Sequence, residues 1–219
     1  MLNRTDFAQT NEIDVQPGTT LQVDARNIGV TLSSGSDSKV RVSATGNYAD
    51  QKPQVTATTT GTTAVVSGSC GGDCDLQLHI TLPAALGVRV EAGNGAVVAN
   101  GMGGSLELQT TDGAITVDHP TGPLTLKSRN GGISVTAAAS PKADVTTGNG
   151  AVDAAFAAAP ASVNVTAKDG AVDLSVPSGA GYNVTTRSTG TTPQVDVPSD
   201  RNAAHSLTVT TASGAIHIH

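Results

Sequence analysis

The two cysteines of the chain lie four positions apart in a glycine-rich segment, and this spacing permits two kinds of chemistry. Cys70 and Cys74 enclose the tripeptide Gly-Gly-Asp. A disulfide across such a flexible turn is geometrically accessible, whereas a zinc site would need two further ligands, of which only His79 is nearby. The sequence therefore predicts a Cys70–Cys74 disulfide and with it an oxidising compartment. In the cytosol the two thiols would instead remain reduced.

Histidine is the second residue type that could support chemistry, as a metal ligand or a proton carrier. The histidines are His79, His119, His205, His217 and His219. His217 and His219 alternate with two isoleucines, so in a strand both would lie on one outward face and could chelate a metal weakly. Surface histidines more often hold no ligand, so we expect no metal site and no cofactor.

One pair of carboxylates occupies equivalent positions in successive repeats. Asp153 and Asp173 would lie about 4.8 Å apart in stacked coils, where they could share a proton or bind a cation. A polysaccharide-acting β-helix enzyme is therefore one alternative function. However, aromatic residues make up only 2% of the chain, and no G-x-S-x-G motif is present. We therefore expect a chain without catalytic residues.

The charge and hydropathy of the chain exclude several classes of function. The net charge is −6 and the basic residues are scattered singly, whereas nucleic-acid binding requires a cationic face. No stretch of about 18 apolar residues could span a membrane, and the N-terminus lacks the apolar core of a signal peptide. Because β-repeats this rich in threonine, glycine and alanine are common outside cells, we still expect an extracellular location, with a signal or anchor that this sequence does not include.

All these residues are set within a repeated phrase, which is the strongest signal in the sequence. Each copy has an alternating aliphatic pair, a polar stretch, a glycine and usually a second aliphatic pair, as in LELQTTDGAITV from Leu106. The seven marker glycines are Gly95, Gly113, Gly131, Gly150, Gly170, Gly190 and Gly214. Their spacings of 18, 18, 19, 20, 20 and 24 residues indicate one structural unit stacked on copies of itself.

Alternation within the phrase predicts which side chains point inward. The two inward columns are Val90, Leu108, Leu126, Val145, Val165 and Val209, and Val97, Ile115, Ile133, Val152, Val172 and Ile216. Such columns predict an all-β, single-domain β-solenoid with repeats of 18–24 residues. Since Asn-Gly and Asp-Gly are also signals of two-residue hairpin turns, a stacked β-hairpin array is the alternative fold.

The pattern divides the chain into a terminal segment and two parts of one array. We expect residues 1–10 to be disordered or a linker from an N-terminal anchor. Residues 11–219 are expected to form one continuous solenoid. Within it, residues 11–87 alternate as strands without a fixed period, and residues 88–219 hold the regular repeats.

Polar residues at two repeated positions point to further kinds of binding. The residue before the glycine is Asn94, Asp112, Asn130, Asn149, Asp169 or Ser213. These types support tight turns, with glycine supplying a positive φ, so a structural role is favoured over cation binding. The outward threonines Thr146, Thr166 and Thr210 are typical of an ice-binding rank, but Lys127 interrupts it.

The chain also resembles a known family. The resemblance is carried by the phrases GGSLELQTTDGAITV, GPLTLKSRNGGISV and KADVTTGNGAVDA and by the opening IDVQPGTTLQVDARNIGVTL. The family is the putative-adhesin family of bacterial β-strand-repeat envelope domains, and the resemblance covers nearly the whole chain. It implies a β-solenoid, a bacterial envelope location, commonly with a membrane tether, and no catalytic residues. We therefore expect a non-catalytic structural or interaction module, adhesin-like or envelope-sensing, whose partner is a protein or another envelope component.

Overall fold

The computed structural model describes residues 4–219, which form 21 β-strands and no helix. Among these residues there is accordingly no helix that could cross a membrane. The first nine strands are β1 (Thr5–Asp14), β2 (Thr20–Arg26), β3 (Gly29–Gly35), β4 (Lys39–Tyr48), β5 (Gln54–Thr60), β6 (Thr63–Ser69), β7 (Cys74–Pro83), β8 (Gly87–Ala92) and β9 (Val97–Asn100). The others are β10 (Leu106–Thr110), β11 (Ile115–Asp118), β12 (Leu124–Ser128), β13 (Ile133–Ala138), β14 (Lys142–Thr147), β15 (Val152–Phe156), β16 (Ser162–Asp169), β17 (Val172–Ser175), β18 (Tyr182–Ser188), β19 (Gln194–Val195), β20 (His205–Ser213) and β21 (Ile216–Ile218).

The strands form two sheets with an apolar interior between them. One sheet has 11 strands in the order β1-β4-β7-β3-β9-β11-β13-β15-β17-β21-β19, and the other has 10 in the order β18-β20-β16-β14-β12-β10-β8-β2-β6-β5. Each regular coil gives one strand to each sheet, and equivalent strands pair in parallel. This confirms the all-β solenoid. The Asn-Gly and Asp-Gly turns join strands of different sheets, so the hairpin-array alternative is wrong for the regular repeats.

The strand register confirms both inward columns. Leu108 pairs with Val90 on one side and with Leu126 on the other, and the second column has the same arrangement around Ile115. All members of both columns are buried. They belong to one continuous core that runs along the whole stack, so hydrophobic burial at about 25 cal/mol per Å² stabilises every coil against its neighbours.

Two coils are out of sequence order in the stack. The coil of β20 and β21 lies between the coil of β16 and β17 and that of β18 and β19. Similarly, the coil of β2 and β3 lies between β6 with β7 and β8 with β9. The repeat from Tyr182 therefore forms the terminal coil of the stack. The 24-residue spacing from Gly190 to Gly214 reflects the extra chain needed to return and place β20 and β21 between that coil and the coil of β16 and β17.

The N-terminal end of the stack is antiparallel. β4 pairs in this way with β1 and with β7, and β5 forms a hairpin with β6. The prediction of a disordered or linker segment for residues 1–10 is wrong for Thr5–Thr10, because these residues belong to β1 and pair with Ser43–Tyr48 of β4. Residues 1–3 of that segment lie outside the described residues.

The corner glycines are required by close packing, which corrects their predicted role. Of the seven marker glycines only Gly214 has a positive φ. A Cβ at Gly131 would instead overlap the carbonyl oxygen of Gly113, and one at Gly113 would overlap that of Gly95. The same overlap repeats at Gly150, Gly170 and Gly214. Each corner therefore rests directly on the backbone of the coil before it in the stack.

A column of buried hydroxyls satisfies the polar backbone at these corners. Thr110, Ser128, Thr147 and Thr211 are each at most 5% exposed. Ser128 Oγ donates to the Gly113 carbonyl (3.2 Å) and accepts from the Gly131 N–H (2.8 Å), so it links two successive corners. Thr110, Thr147 and Thr211 likewise donate to the marker glycine of the preceding coil. Since an unsatisfied buried carbonyl costs free energy, the hydroxyl column stabilises the stack.

The packing of the corners predicts a position-specific cost for an added methyl group. Gly131→Ala is expected to lower the free energy of unfolding by about 1–3 kcal/mol or more, because the Cβ overlaps a backbone oxygen that cannot move aside. Gly190→Ala is the matched control, since its Cβ would lie 3.8 Å from the nearest atom, Ser213 Cα. Urea unfolding of both variants checks this, and equal losses of stability would contradict it.

Candidate functional site

The densest group of chemically active side chains lies on the outer face of the 11-stranded sheet near its C-terminal coils. Asp173 of β17 points outward because its neighbours Val172 and Leu174 are buried. His217 of β21 points outward for the same reason, between two buried isoleucines. Parallel pairing sets Asp173 beside His217, and it sets His217 beside Gln194 of β19. Strand alternation and register thus bring these side chains together.

The carboxylate of Asp173 contacts two imidazoles. Its Oδ2 lies 3.2 Å from His217 Nδ1, and its Oδ1 lies 3.1 Å from His219 Nε2. The two imidazole rings stack with centroids 4.5 Å apart. His219 is held by its backbone, which donates to the Leu174 carbonyl (3.0 Å) and accepts from the Val176 N–H (2.8 Å). All three side chains are therefore placed by main-chain pairing.

A second carboxylate faces the other nitrogen of His217. Asp196 directly follows β19, and its Oδ2 lies 3.2 Å from His217 Nε2. The same oxygen accepts a hydrogen bond from Gln194 Nε2 (2.7 Å), and the Asp196 N–H donates to the Ile218 carbonyl (2.7 Å). The imidazole of His217 is thus enclosed by one carboxylate on each side.

The electrostatics of the cluster follow from this arrangement. The hydrogen bond to Asp196, and after it the one to Asp173, raises the pKa of His217 above its ordinary value of 6.5. The hydrogen bond from Gln194, and after it that from His217, lowers the pKa of Asp196. Between the lowered pKa of Asp196 and the raised pKa of His217, the negative carboxylate and the positive imidazolium therefore stabilise each other.

Asp173, His217 and His219 are also the residues that could hold a metal ion. One ligand atom from each lies within 4.8 Å of the others. The sequence identifies the two histidines as a pair on one face but predicts no metal site, because surface histidines more often hold no ligand. It pairs Asp173 with Asp153 instead of with the histidines. The structure confirms that Asp153 and Asp173 are register partners, but the Asp173 carboxylate contacts the histidines of the next coil in the stack.

Asp196 has no signal in the sequence. It lies in the irregular stretch after Gly190. Its position depends on the coil of β18 and β19 stacking outside the coil of β20 and β21. Recognising that the repeat from Leu207 stacks directly on the repeat from Val163 would have shown the approach of His217 to Asp173. The matching aliphatic columns of these two repeats are compatible with such stacking, whereas the repeat from Tyr182 lies between them in the sequence and indicates a different order.

The predicted disulfide is present in the structure. Cys70 and Cys74 are joined, with their Cα atoms 5.8 Å apart. They close the corner between β6 and β7, which belong to different sheets, and both side chains pack against the core. The pair is bonded and so offers no thiolate to a zinc ion. His79, the third residue of the rejected zinc hypothesis, lies in β7 opposite Ser43.

The remaining polar columns are placed as the sequence predicts. Asn149 donates to Asn130 (2.8 Å), and Asn130 donates in turn to Asp112, so the polar turn residues form a ladder between coils. The threonine rank of Thr146, Thr166 and Thr210 is in register. It ends at Lys127 on one side and at Arg187 on the other, so the uncharged part of this row is three strands wide.

Comparison with known proteins identifies the architecture. The family model described as Toastrack DUF4097 matches residues 66–219. The fold is similar to that of a putative adhesin from Parabacteroides merdae, with 12% identity, a TM-score of 0.54, and coverage of 97% of this chain and 96% of that chain. A putative adhesin from Bacteroides fragilis is similar at 11% identity and a TM-score of 0.53, with 97% of each chain covered. At such identities the likeness concerns the fold alone. No curated protein matches the chain.

The enclosed imidazole predicts a shifted titration. In metal-free protein, the pKa of His217 should lie above 6.5, and Asp196→Asn should move it downward by removing the larger of the two favourable contacts. The stability contributed by the raised pKa is present below the unfolded-state pKa of histidine and is lost as the pH rises through the folded-state value. The contribution of Asp196 is lost as the pH falls through its own lowered pKa. An NMR titration of the imidazole protons measures this, and an unchanged midpoint in Asp196→Asn would contradict it.

The disulfide predicts a chemical and a thermodynamic result. Under denaturing conditions without reductant, neither cysteine should react with iodoacetamide, whereas reduction should allow two alkylations visible in the intact mass. Cys70→Ser with Cys74→Ser should cost about 2 kcal/mol, because the bond closes only a short loop. Alkylation of both thiols without reductant would refute the bond.

Proposed function

Since the chain belongs to the Toastrack DUF4097 family, we propose that it is a non-catalytic interaction module on the surface of a bacterial cell. Its partner is a protein or another component of the envelope. The binding surface is the outer face of the 10-stranded sheet, which we call the display face. It is defined by the outward residues of β8, β10, β12, β14, β16, β18 and β20.

The observation that carries the proposal is the continuous register of this face. Its central row runs through Glu91, Gln109, Lys127, Thr146, Thr166, Thr210 and Arg187. Neighbouring side chains are about 4.8 Å apart. The three threonines in the middle of the row are short and β-branched, so they have little conformational freedom to lose on binding, which favours their use as a recognition surface.

The display face is favoured over the outer face of the other sheet because its strands are longer in most coils. β16 and β20 have 8 and 9 residues, whereas their partners in the same coils, β17 and β21, have 4 and 3. The larger area suits a macromolecular partner. Its charges are of mixed sign, as in the contacts of Arg89 with Glu91 (2.7 Å) and Glu107 (2.8 Å), which agrees with a partner that is not a polyanion.

Two observations support the cellular location. A disulfide such as Cys70–Cys74 persists in oxidising compartments and is rare in the cytosol. The similar solved structures from Parabacteroides merdae and Bacteroides fragilis are named putative adhesins, which is in keeping with a surface role.

The test combines location with binding. Antibodies against the purified chain should label intact cells of the source bacterium, and the labelled chain should bind an envelope fraction saturably. The double variant Thr146→Glu and Thr166→Glu should weaken that binding at least about tenfold, since it adds two charges that a matched partner would have to desolvate. Ser134→Glu, on the outer face of the other sheet, is the control and should bind as the parent does.

Three results would overturn the proposal. These are labelling only after the cells are permeabilised, equal binding by the display-face variant and the parent, and cleavage of an envelope polysaccharide by the purified chain. The last result, if abolished by Asp173→Asn, would favour the enzyme alternative. Matching melting temperatures of all variants would establish that loss of binding is not loss of fold.

A further inference from the structure

We propose that Asp173, His217 and His219 form a Zn²⁺ site, and that Asp196 is a positioning residue that orients the imidazole of His217. The site is independent of the display face, since it lies on the opposite sheet. Its ligands join two coils of the stack, because they come from β17, β21 and the residue that follows β21, and Asp196 after β19 adds a contact from a third coil.

The donor atoms of Asp173, His217 and His219 lie close enough together to take a zinc ion, with one ligand atom from each residue within 4.8 Å of the others. Zinc takes imidazole nitrogen and carboxylate oxygen at about 2.0–2.2 Å in tetrahedral geometry, which separates neighbouring ligand atoms by about 3.3–3.5 Å. The Asp173 oxygens lie 3.2 Å from His217 Nδ1 and 3.1 Å from His219 Nε2. These two contacts use different oxygens of the Asp173 carboxylate, so the side chains would rotate to bring one oxygen and both nitrogens around the ion.

The two carboxylates beside His217 favour a cation at its imidazole. A neutral imidazole has one N–H, which it can donate to only one of the two carboxylates that face it. When Nε2–H donates to Asp196, the lone pair of Nδ1 points at the Asp173 oxygen 3.2 Å away. A proton or a metal ion between them removes this repulsion. Zinc does so while leaving Nε2–H with Asp196, which is the carboxylate–histidine–zinc arrangement that fixes the tautomer of metal ligands.

The ligands are already held in place without the ion. Asp173 and His217 are register partners on hydrogen-bonded strands, and two backbone hydrogen bonds fix His219 to the segment around Leu174 and Val176. Little conformational entropy is then lost on binding, which raises the affinity of a site. The side chains of Asp173, His217 and His219 are 37–48% exposed, so the ion has access from solvent and a fourth ligand position is open.

Zinc binding should also stabilise the fold. The site connects the coil of β16 and β17 to the coil of β20 and β21, which is the one inserted out of sequence order. An ion that binds the folded state and not the unfolded chain shifts unfolding to higher temperature. The ion would thus hold the coil of β20 and β21 in its place beside the coil of β16 and β17.

The test is titration of the untagged, chelator-treated chain with ZnCl₂ by isothermal calorimetry. We expect one ion per chain and an increase in melting temperature that EDTA reverses. His217→Ala, His219→Ala and Asp173→Asn should each remove the saturable heat and the thermal shift. Asp196→Asn should retain the stoichiometry and weaken the affinity about 10–100-fold, as loss of an outer hydrogen-bond partner does.

His119→Ala is the matched control, because His119 also faces a carboxylate, Asp118, at 2.8 Å but lies outside the cluster. It should bind zinc as the parent does. Absence of saturable binding by the parent, or undiminished binding by both His217→Ala and His219→Ala, would overturn the proposal. Loss of binding in His119→Ala equal to that in His217→Ala would also overturn it. In the parent chain, zinc-induced changes in the imidazole NMR signals that are confined to His217 and His219 would support the proposal, even if the substituted variants are less stable.

Discussion

The contact between corner backbones is the constraint on which the rest of the structure depends. Parallel coils lie about 4.8 Å apart, and at the corner the α-carbon of one glycine faces the carbonyl of the glycine before it in the stack. Any side chain there would force the coils apart and break both sheets locally. With the corner fixed, the strands on either side are in register, and the apolar columns follow from that register.

The same corner explains why threonine and serine occur inside an otherwise apolar stack. The hydroxyls of residues such as Ser128 and Thr147 reach the carbonyls that the corner leaves without a strand partner. Alanine occupies the equivalent positions 92 and 167, so a single corner tolerates the absence of the hydroxyl group. Among the described residues, every buried side-chain polar atom has a hydrogen-bond partner, as expected of a well-formed interior.

The out-of-order coils determine how the stack ends and where its chemistry lies. At one end the antiparallel strands β1, β4 and β5 complete the sheets. At the other end the two-residue strand β19 leaves a short edge on the 11-stranded sheet, and the seven-residue strand β18 is the edge of the 10-stranded sheet. Short edge strands reduce unwanted pairing between molecules. The return of the chain near residue 205 also brings His217 between Asp173 and Asp196, three residues that a stack in sequence order would not assemble.

The sequence by itself determined the repeat, the strand alternation, both inward columns and the Cys70–Cys74 pair, because each follows from local periodicity or short spacing. It misjudged the role of Gly131, since close approach of a neighbouring coil has no local signal and resembles a turn requirement. It also left Thr5–Thr10 without a strand, because pairing with β4 is a distant contact. Only the tertiary structure decided which coil stacks on which. The aliphatic columns are nearly interchangeable, so their energies distinguish little between orders, and the histidine–aspartate cluster exists only in the order that the chain adopts.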